Sequence, residues 1–123
     1  MDNRKKILVC DDDEIIRMLL ADSLENEEWI VEEAVDGKEA LDKLINQHYD
    51  LAVIDYMMPY FTGIEVVEKL PLHVKQNLPI IMLTAKSQKE DKQLATAVGV
   101  THFVQKPFSP AYLYELISTT FTN

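Results

Sequence analysis

The 123-residue sequence predicts an α/β fold in which a five-stranded parallel sheet is wound on both faces by five helices, in strict (βα)5 alternation. Three observations predict it. Short apolar runs alternate five times with segments of helical period. Glycine, proline and capping residues punctuate the junctions. The runs also differ in polarity, which sorts them into central and edge strands.

The apolar runs cover 7–10, 29–35, 51–54, 80–83 and 102–104. After the first, Asp13 and Glu14 open a helix at the end where negative charge meets the macrodipole, and Ile16, Leu19 and Leu20 carry its spacing. The second run starts at Trp29, a packing residue. It ends at Asp36-Gly37, which turns the chain into a helix spaced by Leu41, Leu44 and Ile45. Beyond the third run, Thr62-Gly63 begins a helix with Ile64, Val67 and Leu70. The fourth run is followed by a helix spaced by Leu94, Ala97 and Val98 and ended by Gly99. After the fifth, Ser109 supplies a capping hydroxyl and Pro110 the first helical position of a helix with Leu113, Leu116 and Ile117. Tyr112 and Tyr114 on that helix belong either to the core or to a partner face.

Runs 7–10, 51–54 and 80–83 are continuously apolar, as strands covered on both faces are. The second run carries Glu32 and Glu33, and Thr101 and His102 mark the fifth, so these two form the edges. The order 2-1-3-4-5 places both polar strands outside and matches the flavodoxin-like winding.

Composition narrows the function classes. The length suits one domain, residues 1–123, with no effector domain. Hydrophobic residues at 47% and charged residues at 27% are ordinary for a globular chain. No apolar run reaches the roughly 20 residues that cross a bilayer. The opening Met1-Asp2-Asn3-Arg4-Lys5-Lys6 shows no leader pattern, so a cytoplasmic protein is expected. A net charge of −9 argues against direct nucleic-acid binding. Cys10 reads as a buried small hydrophobe. His48, His73 and His102 have no ligand spacing, and His48 lies near a helix end that favours positive charge.

In such a sheet functional groups gather beyond the carboxyl ends of the strands. Those ends carry Asp11-Asp12, Asp55, Thr84 and Lys106. Three converging carboxylates repel one another unless protonated or bridged by a cation. An all-oxygen set without His or Cys favours a hard ion such as Mg²⁺. Lys106 suits a phosphate oxygen, and the Thr84 hydroxyl can donate to another. The set fits transfer of a phosphoryl group to a carboxylate, with Asp55, at the end of the central strand, as nucleophile.

Four motifs carry a family resemblance over essentially the whole chain. They are Ile7-Leu8-Val9-Cys10-Asp11-Asp12-Asp13, Asp55-Tyr56-Met57-Met58-Pro59 with Gly63, Met82-Leu83-Thr84-Ala85, and Phe103-Val104-Gln105-Lys106-Pro107-Phe108. In this order and separation they resemble the response-regulator receiver domain of two-component signalling, as in the chemotaxis regulator.

The resemblance implies that Asp55 is the phosphoacceptor, that Asp12 ligates Mg²⁺ directly, and that Asp11 acts largely through water. It further implies a ligand in the Met57 backbone carbonyl, a switch pair in Thr84 and Phe103, a phosphate-binding Lys106 and a cis Lys106-Pro107 bond. Implied partners are a sensor histidine kinase or phosphotransfer protein, and a downstream target or effector domain. The face of the fourth helix, fifth strand and fifth helix would change on phosphorylation, and family dimers often use it. Met57 offers no polar side chain to position water, which implies slow phosphoryl loss. A phosphorelay carrier and a receiver cut from a longer regulator are alternatives.

Two other classes fit less well. An Asp-nucleophile phosphatase of the haloacid-dehalogenase type would use Asp11, but its cap domain and later acidic motif are missing from the sequence. A flavodoxin-type cofactor domain needs a phosphate-cradling loop after the first strand, where three aspartates stand instead.

Overall fold

Five parallel strands pair in the order β2-β1-β3-β4-β5. The computed structural model describes residues 3–85 and 89–122; Met1 and Asp2, used above in reading the leader, lie outside them. In chain order the elements are β1 (Lys5–Cys10), α1 (Glu14–Leu24), β2 (Trp29–Ala34), α2 (Gly37–Asn46), β3 (Leu51–Asp55), α3 (Gly63–Lys69), α4 (Leu72–Lys75), β4 (Ile80–Thr84), α5 (Lys89–Val98), β5 (His102–Gln105) and α6 (Pro110–Thr122). No helix among the described residues is long and apolar enough to cross a membrane.

The expected order is the observed one, and the apolar runs mark the inner strands. Every residue of β3 and β4 is buried, whereas β2 and β5 are half-covered edges. Helix starts follow the local chemistry. Asp13 accepts from the Ile15 and Ile16 N–H groups, and Asp36 accepts from Glu39 N–H. Thr62 and Glu65 cap each other's backbone reciprocally. The Ser109 hydroxyl accepts from Tyr112 N–H at 3.3 Å. Gly99 ends α5 with φ at +119°, in the left-handed region that glycine enters without steric cost.

Among the described residues there are six helices, one more than expected. The segment spaced by Ile64, Val67 and Leu70 stops at Lys69, and a four-residue helix follows. Pro71 is the cause: the residue before proline avoids the helical region, and Leu70 is extended with ψ at 136°. The fourth and fifth helices of the sequence reading are therefore α5 and α6.

Side chains alternate across the sheet and make two cores. On one face Ile7, Val9, Leu51, Val53, Ile81 and Leu83 pack against Leu20, Leu24, Leu113 and Ile117 of α1 and α6. On the other, Leu8, Cys10, Ile54 and Met82 pack against Ala40, Leu44, Ile64, Val67 and Ala95 of α2, α3 and α5. In α5 the buried face is rotated from the expected spacing. Ala95 is buried while Leu94 and Ala97 face out. Tyr112 and Tyr114 are both exposed, although the Tyr114 ring also stacks on buried Trp29 at 4.7 Å.

Candidate functional site

Beyond the carboxyl ends of the strands the ladder continues by one residue at two places. Asp11 N–H donates to the Ala34 carbonyl at 3.2 Å, and Lys106 N–H donates to the Thr84 carbonyl at 2.6 Å. Alternation therefore persists. Asp11 follows Ile7 and Val9, Asp55 follows Leu51 and Val53, and Lys106 follows Val104, all in one phase. That shared phase brings the three side chains together.

Lys106 Nζ lies 3.1 Å from Asp11 Oδ2 and 3.1 Å from Asp55 Oδ1. Asp11 is 1% exposed and Asp55 6%, while Asp12 faces solvent. One carboxylate oxygen from each of Asp11, Asp12 and Asp55 lies within 4.8 Å of the others. The second Asp11 oxygen, Oδ1, accepts from Asp13 N–H at 2.9 Å. Among the described residues nothing hydrogen-bonds the Asp12 carboxylate, Asp55 Oδ2 or the Met57 carbonyl.

Among the described residues the pocket is short of positive charge. Burial, and then the Asp11 charge, push the Asp55 carboxyl up to about 6, against the opposing pull of Lys106. Burial alone would lower the Lys106 ammonium, yet its bonds and charge interactions with Asp55 and Asp11 leave it raised. Both groups thus hold their protons more firmly than usual. One ammonium does not balance three carboxylates, and an all-oxygen donor set fits a hard divalent cation. Asp11, Asp12 and Asp55 have the chemistry to hold one.

Thr84 ends β4, buried, with its register partner Gln105 on β5. Phe103 pairs with Met82 two positions earlier, so it shares the Thr84 face and is half-buried against the α2–α3–α5 core. Met57 stands in the loop after β3 with its side chain 65% exposed. The Lys106-Pro107 bond is cis. The three histidines stay apart from this cluster: His48 pairs with Asp50 at 3.2 Å, and His102 meets the Thr120 hydroxyl at 3.5 Å. Burial pushes the Cys10 thiol up, so it is an inert packing group.

One residue escaped the sequence reading. Arg17 Nη1 donates to the Asp11 carbonyl at 2.7 Å, and its Nε bonds Glu33 Oε1 at 3.1 Å. The available signal was an arginine in the second turn of the helix that follows the acidic pair.

The response regulator receiver domain family matches residues 7–118. The transcriptional regulatory protein ResD of Bacillus subtilis (strain 168) is 43% identical over 108 residues, which are 88% of this chain and 44% of that protein. The alkaline phosphatase synthesis transcriptional regulatory protein PhoP of the same organism is 46% identical over 106 residues, 86% of this chain and 44% of that one. The chain thus spans less than half the length of these relatives. Among solved structures, a CheY-like receiver domain protein from Methanospirillum hungatei JF-1 superposes with a TM-score of 0.90 at 30% identity, covering 97% of this chain and 94% of that one. Chemotaxis response regulator CheY4 of Vibrio cholerae gives 0.87 at 35%, covering 94% and 98%. A flavodoxin-like sheet with an acidic pocket at its carboxyl edge, matched along nearly its full length by this family, places the chain among the response regulator receiver domains of two-component signalling.

Proposed function

We propose that the chain accepts a phosphoryl group from a phosphohistidine onto Asp55, with Mg²⁺ held by Asp11, Asp12, Asp55 and the Met57 backbone carbonyl. The observation that carries the reading is the convergence of Asp11, Asp12 and Asp55 within 4.8 Å beside one lysine. Asp55 is preferred to Asp11 because both Asp11 oxygens are engaged, by Lys106 and by Asp13 N–H. The phosphatase alternative would need that engaged carboxylate as its nucleophile.

An Asp55 oxygen forms a bond to phosphorus as the phosphorus–nitrogen bond to the donor imidazole breaks. The bonding pair stays on the ring nitrogen, which takes a proton from solvent. Bound Mg²⁺ supplies charge neutralisation for the transferring group. Lys106 exchanges its contact with Asp55 for one with a phosphoryl oxygen, and the Thr84 hydroxyl donates to another. The new group adds about −1.5 to −2 charge. Movement of Thr84 lets Phe103 turn inward and alters the face made by α5, β5 and α6.

That face is proposed to meet a downstream target, an effector domain or a second copy of the chain. The chain is proposed to act in the cytoplasm, and the proposed donor is a sensor histidine kinase or phosphotransfer protein; a relay carrier would also pass the group on to a second histidine. The chain catalyses its own phosphorylation and slow dephosphorylation, without other turnover. The test is intact mass after incubation with a small phosphodonor. One phosphoryl on wild type, requiring Mg²⁺ and absent from Asp55→Asn, supports the reading. Addition that survives in Asp55→Asn sinks it.

A further inference from the structure

The Asp12 side chain has no polar partner among the described residues, yet its carboxylate sits within 4.8 Å of those of Asp11 and Asp55. Its place is therefore set by the backbone of the turn between β1 and α1. Asp11 N–H is tied to the Ala34 carbonyl, and Asp13 N–H to Asp11 Oδ1. The peptide that joins Asp11 to Asp12 is held at its carbonyl oxygen by Arg17 Nη1, at 2.7 Å.

The far end of Arg17 is anchored as well. Its Nε reaches Glu33 Oε1 at 3.1 Å, and the Glu33 backbone carbonyl accepts from Lys43 Nζ at 2.6 Å. The Arg17 side chain is only 12% exposed. A planar fork satisfies a carbonyl and a carboxylate at once, which a lysine ammonium on a flexible stem does less well. The guanidinium also binds the peptide oxygen instead of a metal-site carboxylate, so it fixes the turn without occupying the cation's ligands.

We infer that Arg17 is a positioning residue for the metal centre, a strut from edge strand β2 that orients the Asp11–Asp12 peptide and so presents the Asp12 carboxylate to Mg²⁺. The inference rests on the Mg²⁺ reading above. Outer-shell contacts of this kind govern ligand orientation, and their loss costs about 10-fold or more in metal affinity.

The experiment titrates Mg²⁺ calorimetrically into wild type, Arg17→Met, Arg17→Lys and Glu33→Gln, each first shown to be folded by circular dichroism. Phosphorylation rate against Mg²⁺ concentration is measured alongside. Arg17→Met is expected to weaken Mg²⁺ binding about 10-fold, with Arg17→Lys between it and wild type. The Mg²⁺ concentration for half-maximal rate should rise equally, while the rate at saturating Mg²⁺ stays within about twofold. Glu33→Gln keeps the Arg17–carbonyl bond and loses the charged anchor, so a smaller loss of affinity is expected. Unchanged affinity in Arg17→Met overturns the inference. So does a fall in the saturating rate, which marks general damage. If Arg17→Met does not fold, unchanged affinity in Glu33→Gln overturns it, and weakened affinity there supports it. Wild type that binds no Mg²⁺ sinks the metal reading itself, a separate failure.

Discussion

Gly63 lies against the backbone of Asp55: a Cβ built on Gly63 would stand 2.6 Å from the Asp55 carbonyl oxygen. Gly63 N–H also donates to the Tyr56 carbonyl at 2.7 Å, closing the loop that follows β3. Gly63→Ala is expected to cost about 1–3 kcal/mol, because backbone must shift to admit the methyl group. Urea unfolding measures the loss, and phosphodonor kinetics should show slower acceptance at Asp55. Unchanged stability would mean that the loop yields freely.

The raised Asp55 carboxyl makes stability depend on pH. The folded state holds this proton up to about pH 6, against 3.8 for an ordinary aspartate. The folded state therefore gains from the proton at low pH, and that gain is lost as pH rises from about 4 through about 6. In chelator, Asp55→Asn should be more stable than wild type above pH 6, by up to about 3 kcal/mol. The advantage should vanish near pH 4. Thermal melts at both pH values test it, and an equal difference at each would refute the role of the Asp55 charge. Mg²⁺ should stabilise wild type more than the variant.

Lys106 contacts oxygens on two of the carboxylates that would face the cation. Lys106→Met is therefore expected to keep Mg²⁺ affinity at or above the wild-type level while slowing phosphorylation on the order of 10²-fold, the usual cost of removing one charge-stabilising donor. Calorimetry and intact mass separate the two effects. Loss of metal affinity in this variant would mean that Lys106 organises the site before it acts on phosphate.

Met57 projects an exposed apolar side chain two residues after Asp55. Met57→Asn places an amide there that can hold a water by donating and accepting hydrogen bonds. The phosphoryl group should then be lost faster, as followed by the decay of the phosphorylated mass in Mg²⁺. An unchanged decay would remove this position from control of its lifetime.

Much of the architecture was legible because its determinants are local. The unbroken apolar runs of β3 and β4, Asp13, Asp36, Thr62 and Ser109 at helix starts, and Gly99 at a helix end all act through neighbouring backbone. Even the break at Leu70-Pro71 was written in the chain, in a proline that apolar spacing alone does not register. The buried face of α5 was not legible. Leu94 is larger and more apolar than Ala95, so composition points to the wrong neighbour, and only the rotation of α5 against the core turns Ala95 inward.

By itself the sequence determined that Asp11, Asp12, Asp55, Thr84 and Lys106 would stand at one edge of a parallel sheet, since strand polarity sets the order and parallel strands end together. Tertiary structure decided how they meet. The shared alternation phase seats Lys106 between Asp11 and Asp55, burial shifts the Asp55 proton, and Arg17 reaches from α1 to the carbonyl of Asp11 and the side chain of Glu33. Most of those relations join residues far apart in the chain, and even the Arg17–Asp11 bond spans a turn between two elements. Their distances depend on how helices and strands pack, and no local propensity encodes them.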